Sequence, residues 1–218
     1  MSWSGGKDSA LALEVVRADP RLHVEALLTT VTSDYERVSI HGVRRELLQA
    51  QALALRLPLL EMQIAPRCSN DEYERALSQA LVEIRLRHPG VHRIVFGDLF
   101  LEDVRRYREE RLAALGYTAL FPLWGSPTHA LGRHLIERGY AARLVCVDTQ
   151  ALDAQFAGRA YDERLLEQLP TTVDPCGERG EFHTFVSDGP GFSNAVAYEV
   201  GDVVLRDERF AYCDLLPA

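Results

Sequence analysis

The stretch Ser4-Gly5-Gly6-Lys7-Asp8-Ser9 runs straight into an apolar-periodic segment, Ala10 to Ala18. Leu11, Ala12, Val15 and Val16 share one helical stripe there, and Pro20 ends it. The two glycines let the backbone bend so that successive N–H groups point into one concavity. The helix that follows adds its own free donors and positive partial charge. Such a nest suits a phosphate. Lys7 is the residue to neutralise a phosphate oxygen, and Asp8 the one to hold Mg²⁺, directly or through water. The plainer reading of these residues alone is a Gly-Gly turn capping a helix.

A nest of this kind normally follows a buried strand, and only Met1, Ser2 and Trp3 precede Ser4. The expected central strand is therefore very short, or cut by the choice of start codon. Its loss would cost main-chain ladder bonds and buried apolar area.

Further along, strands and helices alternate. His23 to Thr30 is a Val- and Leu-rich run expected to be a buried parallel strand. Thr29, Thr30, Thr32 and Ser33 crowd its C-terminal end. His41 to Leu57 has helical spacing, with His41 at its opening, and Leu59 to Ile64 reads as the next strand. Ser69-Asn70-Asp71-Glu72 is a capping box, opening a helix that Pro89-Gly90 stops. His92 to Phe96 is a strand ending at Gly97-Asp98. Glu102 to Leu115 is a charged helix, Leu120 to Leu123 a short strand, Thr128 to Arg138 a helix, and Ala141 to Val147 a strand followed by Asp148. This alternation argues an α/β fold with a parallel sheet and right-handed crossovers over residues 1–148. Residues 149–218 change texture and are expected to form a smaller α+β lobe. Ligands of such sheets bind beyond the C-terminal strand ends, where Thr29, Thr30, Asp98, Asp148 and the glycine loop all fall.

Net charge is −8, which argues against a general grip on nucleic acid. Cys68, Cys146, Cys176 and Cys213 are far apart with no C-x-x-C, which argues against zinc or a disulfide framework and for reduced thiols in a cytoplasmic protein. No apolar run approaches the roughly 20 residues of a membrane span, and no signal peptide is evident. A homodimer is compatible with the sequence. The alternating charges of Glu102 to Arg111 read as a solvated helix face, with Arg108 and Arg111 the candidates to reach a phosphate.

The second informative stretch is Asp174-Pro175-Cys176-Gly177-Glu178-Arg179-Gly180-Glu181-Phe182-His183-Thr184-Phe185. Glycines spaced between two glutamates put carboxylates on a tight backbone. Such a loop can present Glu178 and Glu181 to an amine, an ammonia molecule or Mg²⁺. Its plainer reading is a solvated turn.

The first loop is not the common P-loop, which needs a glycine, four residues and then Gly-Lys-Ser/Thr. It resembles the SGGxDS signature of the PP-loop, or N-type, ATP pyrophosphatases. With it, Gly177 to Thr184 is similar to the G-E-G-G-E-Y/F-x-T motif of the diphthine–ammonia ligase family within that superfamily. Gly97-Asp98, Pro122-Leu123-Trp124 and Asp188-Gly189-Pro190 match as well, so the resemblance runs from Ser4 to about Phe192. Arg179 stands where the family usually has glycine, and His183 where glutamate is common.

The resemblance implies a Rossmann-like, HUP-type, five-stranded parallel sheet with helices on both faces. It implies an ATP-dependent, AMP-forming ligase. The carboxylate of diphthine, a modified histidine on elongation factor 2, would attack the α-phosphate; pyrophosphate leaves, and ammonia then displaces AMP. Ser4, Gly5, Gly6 and Ser9 would bind pyrophosphate, Lys7 would balance its charge, and Asp8 would hold Mg²⁺. Adenosine would lie near Thr29 and Thr30 with His41 close, beside Gly97 and Asp98. Glu178 and Glu181 would orient ammonia or the acyl acceptor. Diphthine occurs in archaea and eukaryotes; a bacterial source would instead call for a small-molecule carboxylate, or for a nucleotide α-hydrolase without a macromolecular acceptor. A tRNA-thiolating enzyme shares the loop, but it usually needs a cysteine pair and a basic surface.

Overall fold

The computed structural model describes residues 1–32, 37, 38 and 41–218; Ser33, named above, lies outside them. The glycine loop opens α1 (Lys7–Ala18). Then come β1 (Leu27–Thr32), β2 (Arg37–Val38), α2 (Arg45–Leu55), β3 (Leu59–Ile64), α3 (Asn70–Arg87), β4 (Arg93–Val95), α4 (Glu102–Ala114) and β5 (Thr118–Leu120). The second half holds α5 (Thr128–Glu137), β6 (Ala141–Asp148), a 3₁₀ turn at Ala154–Phe156, α6 (Glu163–Gln168), β7 (Phe182–Asp188), β8 (Tyr198–Arg206) and β9 (Phe210–Pro217).

The α/β class is as expected, but the strands of the first half do not form one five-stranded ladder. β1 pairs in parallel with β3 and antiparallel with β2, while β4 pairs in parallel with β5 alone. Met1–Trp3 lies between the two groups. Ser2 N–H donates to the Val95 carbonyl at 2.9 Å, Trp3 N–H to Leu28 at 2.8 Å, and Leu28 N–H to Met1 at 2.7 Å. Three residues suffice for a single parallel bridge, Ser2 to Leu28, and not for a ladder on both sides. The α-amino group of Met1 donates to the Ala26 carbonyl there, and its burial lowers its pKa to about 5.

Helices cover both faces. Leu27 of β1 packs with α1 and α2, whereas Leu28, Leu60, Met62 and Ile94 pack with Leu81 and Ile84 of α3 and Leu112 of α4. The capping box of α3 forms as expected: Ser69 Oγ accepts from Glu72 N, and Glu72 Oε2 accepts from Ser69 N at 2.8 Å. α2 begins at Arg45 rather than His41, because Gly42 takes a left-handed φ of 69° that breaks the helix before it starts.

The largest departure is β6. It was expected in the parallel sheet, yet it sits inside an antiparallel sheet of order β7-β6-β9-β8. Its apolar run is buried on both faces, so periodicity cannot tell it from a parallel strand. Its core is continuous with that of α1 and α2 through Phe182, Phe185 and Val186 of β7.

Candidate functional site

The loop between Met1–Trp3 and α1 is built around close backbone approaches. Gly5 has φ 79°, and a Cβ there would meet Gln51 Oε1 at 2.8 Å. A Cβ on Gly97, past the end of β4, would lie 2.8 Å from the Asp8 carbonyl carbon and 3.0 Å from Ser9 N. Glycine at 97 therefore lets the end of β4 touch the first turn of α1. Ser4 Oγ lies 3.2 Å from Ser9 Oγ, accepts from Gly6 N, and so ties the loop to the helix start. Ser9 Oγ donates back to the Gly6 carbonyl at 2.9 Å.

β7 lies directly on this loop. Lys7 N–H donates to Thr184 Oγ1 at 3.0 Å, and Val186 N–H to the Gly5 carbonyl at 2.9 Å. Gln51, fully buried on α2, accepts from Trp3 Nε1 at 2.9 Å and donates to the carbonyls of Gly5 and Val186. One amide thus joins the short strand, the loop and β7. Gln51 and Thr184 were not among the residues singled out for a site. The signal for Gln51 was present: it sits four residues from both Leu47 and Leu55, on the apolar stripe of α2.

Lys7 is buried, and its ammonium faces inward. It donates to Asp8 Oδ1 at 2.9 Å and Oδ2 at 2.8 Å and to the carbonyl of Cys176, and lies 5.6 Å from the centre of the Phe182 ring. Burial opposes its charge most, but Asp8, Cys176 and Glu178 together outweigh it and raise its pKa, so Lys7 stays protonated. The ammonium expected to serve phosphate is thus already committed to Asp8.

The second motif folds as a tight loop under the same site. Gly177 has φ 68° and Gly180 φ 89°, while Arg179 has no left-handed backbone, which explains how a side chain is accepted there. The two glutamates do different things. Glu178 Oε1 accepts from Leu99 N at 2.7 Å and Phe100 N at 3.3 Å, just past Gly97-Asp98. Burial pushes its carboxyl up to about 6, against the pull of those N–H groups and with the help of the Asp8 and Asp98 charges. Glu181 is buried, with Oε1 accepting from Asp174 N at 3.0 Å and Oε2 from Arg179 N at 2.9 Å. Both of its oxygens are engaged in shaping the loop.

His41 stands against Gly6, whose Cβ would lie 3.2 Å from His41 Cε1. Its Nδ1 is 3.2 Å from the Thr184 carbonyl, and its ring is 4.6 Å from that of His183. Burial lowers the His41 pKa to about 4 and that of His183 well below its usual range. Both rings are neutral at pH 7. Nδ1–H of His41 then donates to Thr184, leaving Nε2 with its lone pair.

The other expected residues separate. Thr29 and Thr30 point to opposite faces of β1. Thr29 Oγ1 is buried, with no hydrogen-bond partner among the described residues. Thr30 helps line a cavity of about 40 Å³ with Ser2, Phe96 and Arg108, too small for an adenine ring. Asp98 is paired with Arg108 at 3.2 Å, and Arg111 with Glu74. Asp148 is held by Arg209 and lies apart from the loop's contacts. A cleft of about 690 Å³ opens at the C-terminal ends of β1 and β3, lined by Thr32, Arg37, Gly42, Arg67 and Tyr212. It begins one residue from His41. Openings of about 500 and 770 Å³ near His23 and His88 lie at the other end of the strands.

Among the described residues, no three His, Cys, Asp or Glu side chains are grouped to hold a metal by themselves. Asp8 and Glu178 are nonetheless hard oxygen donors acting on one ammonium, and Asp174 is close enough to act on Asp8. That chemistry suits Mg²⁺ carried largely by a ligand's phosphates. Cys146 and Cys176 are buried and protonated, with burial pushing the Cys176 thiol up to about 12. Among the described residues no helix is long and apolar enough to cross a membrane.

The model of the diphthamide synthase N-terminal domain matches residues 1–116, and that of the diphthamide synthase C-terminal domain matches residues 127–208. The chain belongs to the diphthamide synthase family. Among curated proteins, a human diphthine–ammonia ligase is 29% identical over 93% of this chain and 83% of its own length. A Schizosaccharomyces pombe diphthine–ammonia ligase is 26% identical over 92% of this chain; the match spans 36% of that longer relative. Both family models contribute to the site: the N-terminal one contains the glycine loop, Gln51 and Gly97, and the C-terminal one contains Glu178, Glu181 and Thr184.

Proposed function

We propose that this chain is an ATP-dependent, AMP-forming ligase that adenylates a carboxylate and transfers it to ammonia. The observation that supports the reading is the seating of β7 on the glycine loop, which brings the acidic loop beside it. The names of the human and fission-yeast relatives support carbon–nitrogen bond formation with diphthine as acceptor. In a bacterial source, a small-molecule carboxylate takes its place.

In this reading the N–H groups of the loop and the α1 N-terminus other than those of Gly6 and Lys7, which Ser4 and Thr184 hold, receive the β- and γ-phosphates. Lys7 turns from Asp8 toward phosphate as the nucleotide enters, and Asp8 is the residue that would hold Mg²⁺. The metal would supply charge neutralisation that the single committed ammonium does not. The nucleoside extends past His41 into the cleft beside Gly42, whose volume suits a small ligand; Thr32, rather than Thr30, lies on that path. The acceptor carboxylate attacks the α-phosphorus and pyrophosphate leaves. Ammonia then attacks the acyl carbon, and the oxygen departs with AMP. Glu178 takes the proton that ammonia loses, a role supported by a carboxyl pushed up to about 6. Glu181 acts by holding the loop. The protonated cysteines and the negative net charge weigh against a tRNA-thiolating reading.

The test is incubation with ATP, Mg²⁺, ammonium and candidate acceptors, elongation factor 2 bearing diphthine among them, with nucleotide products resolved by chromatography. AMP and pyrophosphate in step with amide are expected. Release of ADP would overturn the proposal.

A further inference from the structure

Among the described residues, nothing covers the apolar edge strand β8. Val200, Val203 and Leu205 pair across the ladder with Leu215, Cys213 and Ala211, all of them buried, so the three share the sheet's inward face. Yet Val203 is 49% and Leu205 56% exposed, because the strand overhangs the core. Val204 on the other face is 45% exposed. A long apolar edge with an unpaired row of main-chain groups is what soluble proteins usually avoid or pair. Among the described residues, only β9 pairs with β8.

We propose that β8 is a docking edge for a second copy of this chain, pairing antiparallel with its own twin to extend the sheet across a two-fold axis. The strand is self-complementary when the axis passes at Val203, which then faces its own counterpart, with the Gly201-Asp202 bulge of each copy opposite Val204 of the other. Val200 then faces Leu205 of the second copy, and Glu199 faces Arg206 of the second copy, each contact occurring twice. Neither Glu199 nor Arg206 is in an ion pair among the described residues, and both are exposed. The inward apolar side chains of the two copies meet in one stripe that hides what the monomer exposes. Both strands carry the same register shift between Val200 and Val203, so their curvature matches. Val204, Leu205 and Arg206 also line the cleft at the ends of β1 and β3, so pairing builds the second copy against that wall.

The test is sedimentation velocity of the full chain at micromolar concentration. The wild type should run at twice the monomer mass, and Glu199→Arg and Arg206→Glu should each run as monomers, because each sets like charges opposite one another. An equimolar mixture of the two variants should regain the dimer, since both contacts then join opposite charges, one in the native sense and one swapped. Both positions are exposed, and circular dichroism matching the wild type will show that the variants fold. A monomeric wild type, a dimer that survives either single variant, or a mixture that stays monomeric would overturn the proposal. The readout does not depend on nucleotide or activity.

Discussion

The main-chain N–H of Lys7 donates to the hydroxyl of Thr184 at 3.0 Å, across 177 residues of sequence. One of the first donors of α1 is thus satisfied by the C-terminal half, and the loop's shape depends on where β7 sits. Thr184→Val keeps the volume and removes the acceptor, leaving a buried N–H unpaired. Urea unfolding should show a loss of about 1–3 kcal/mol, with weaker ATP binding by calorimetry. Thr184→Ser should retain most of both.

Gln51 joins Trp3, Gly5 and Val186. Gln51→Leu suits the apolar stripe of α2 but strands an indole N–H. It should destabilise the chain by at least about 2 kcal/mol, measured by chemical denaturation. A variant as stable as the wild type would show that these bonds do not hold the loop.

Gly97→Ala puts a methyl group 2.8 Å from the main chain of Asp8, where no flexible side chain can yield. The end of β4 and the first turn of α1 must part, at about 1–3 kcal/mol. The larger consequence should be loss of nucleotide binding, read by fluorescence titration with an ATP analogue.

Glu178 carries a folded-state pKa of about 6 against an ordinary 4.5. A raised carboxyl pKa means that the unfolded chain gives up its proton first. The stability of the protonated form is therefore full below pH 4.5 and is lost as pH rises to about 6. Glu178→Gln should become more stable relative to the wild type over that window and hold a constant margin above it. Denaturation midpoints at several pH values check the sign.

His41 runs the other way. Its pKa falls from 6.5 to about 4 in the folded chain, so stability is present above 6.5 and is lost as pH falls toward 4. His183 shares the direction and faces His41 and Lys7. His41→Gln and His183→Gln should each flatten the acid limb of the stability profile. An unchanged limb would mean that the rings are solvated.

Much was legible without coordinates. The Gly5–Gly6 bend, the helix after it, the capping box at Ser69 and the two motifs are local features, and local chemistry encodes them within a few residues. β6 was not legible in the same way, because a strand buried on both faces carries no mark of its neighbours' direction. Glu178 and Glu181 could not be told apart either; their spacing is the same in any loop that holds them.

The residues alone determined that this chain bends tightly at Gly5–Gly6 into a helix and carries an acidic glycine-spaced loop near its far end, because φ preferences and side-chain chemistry act over neighbouring positions. Only the tertiary structure decided that β7 lies on the bend, that Lys7 turns inward to Asp8, that Glu181 holds the loop while Glu178 meets Leu99, and that β8 is left at an open edge. Those outcomes are set by which elements bury one another, and burial is a property of the packed chain that no short window of sequence contains.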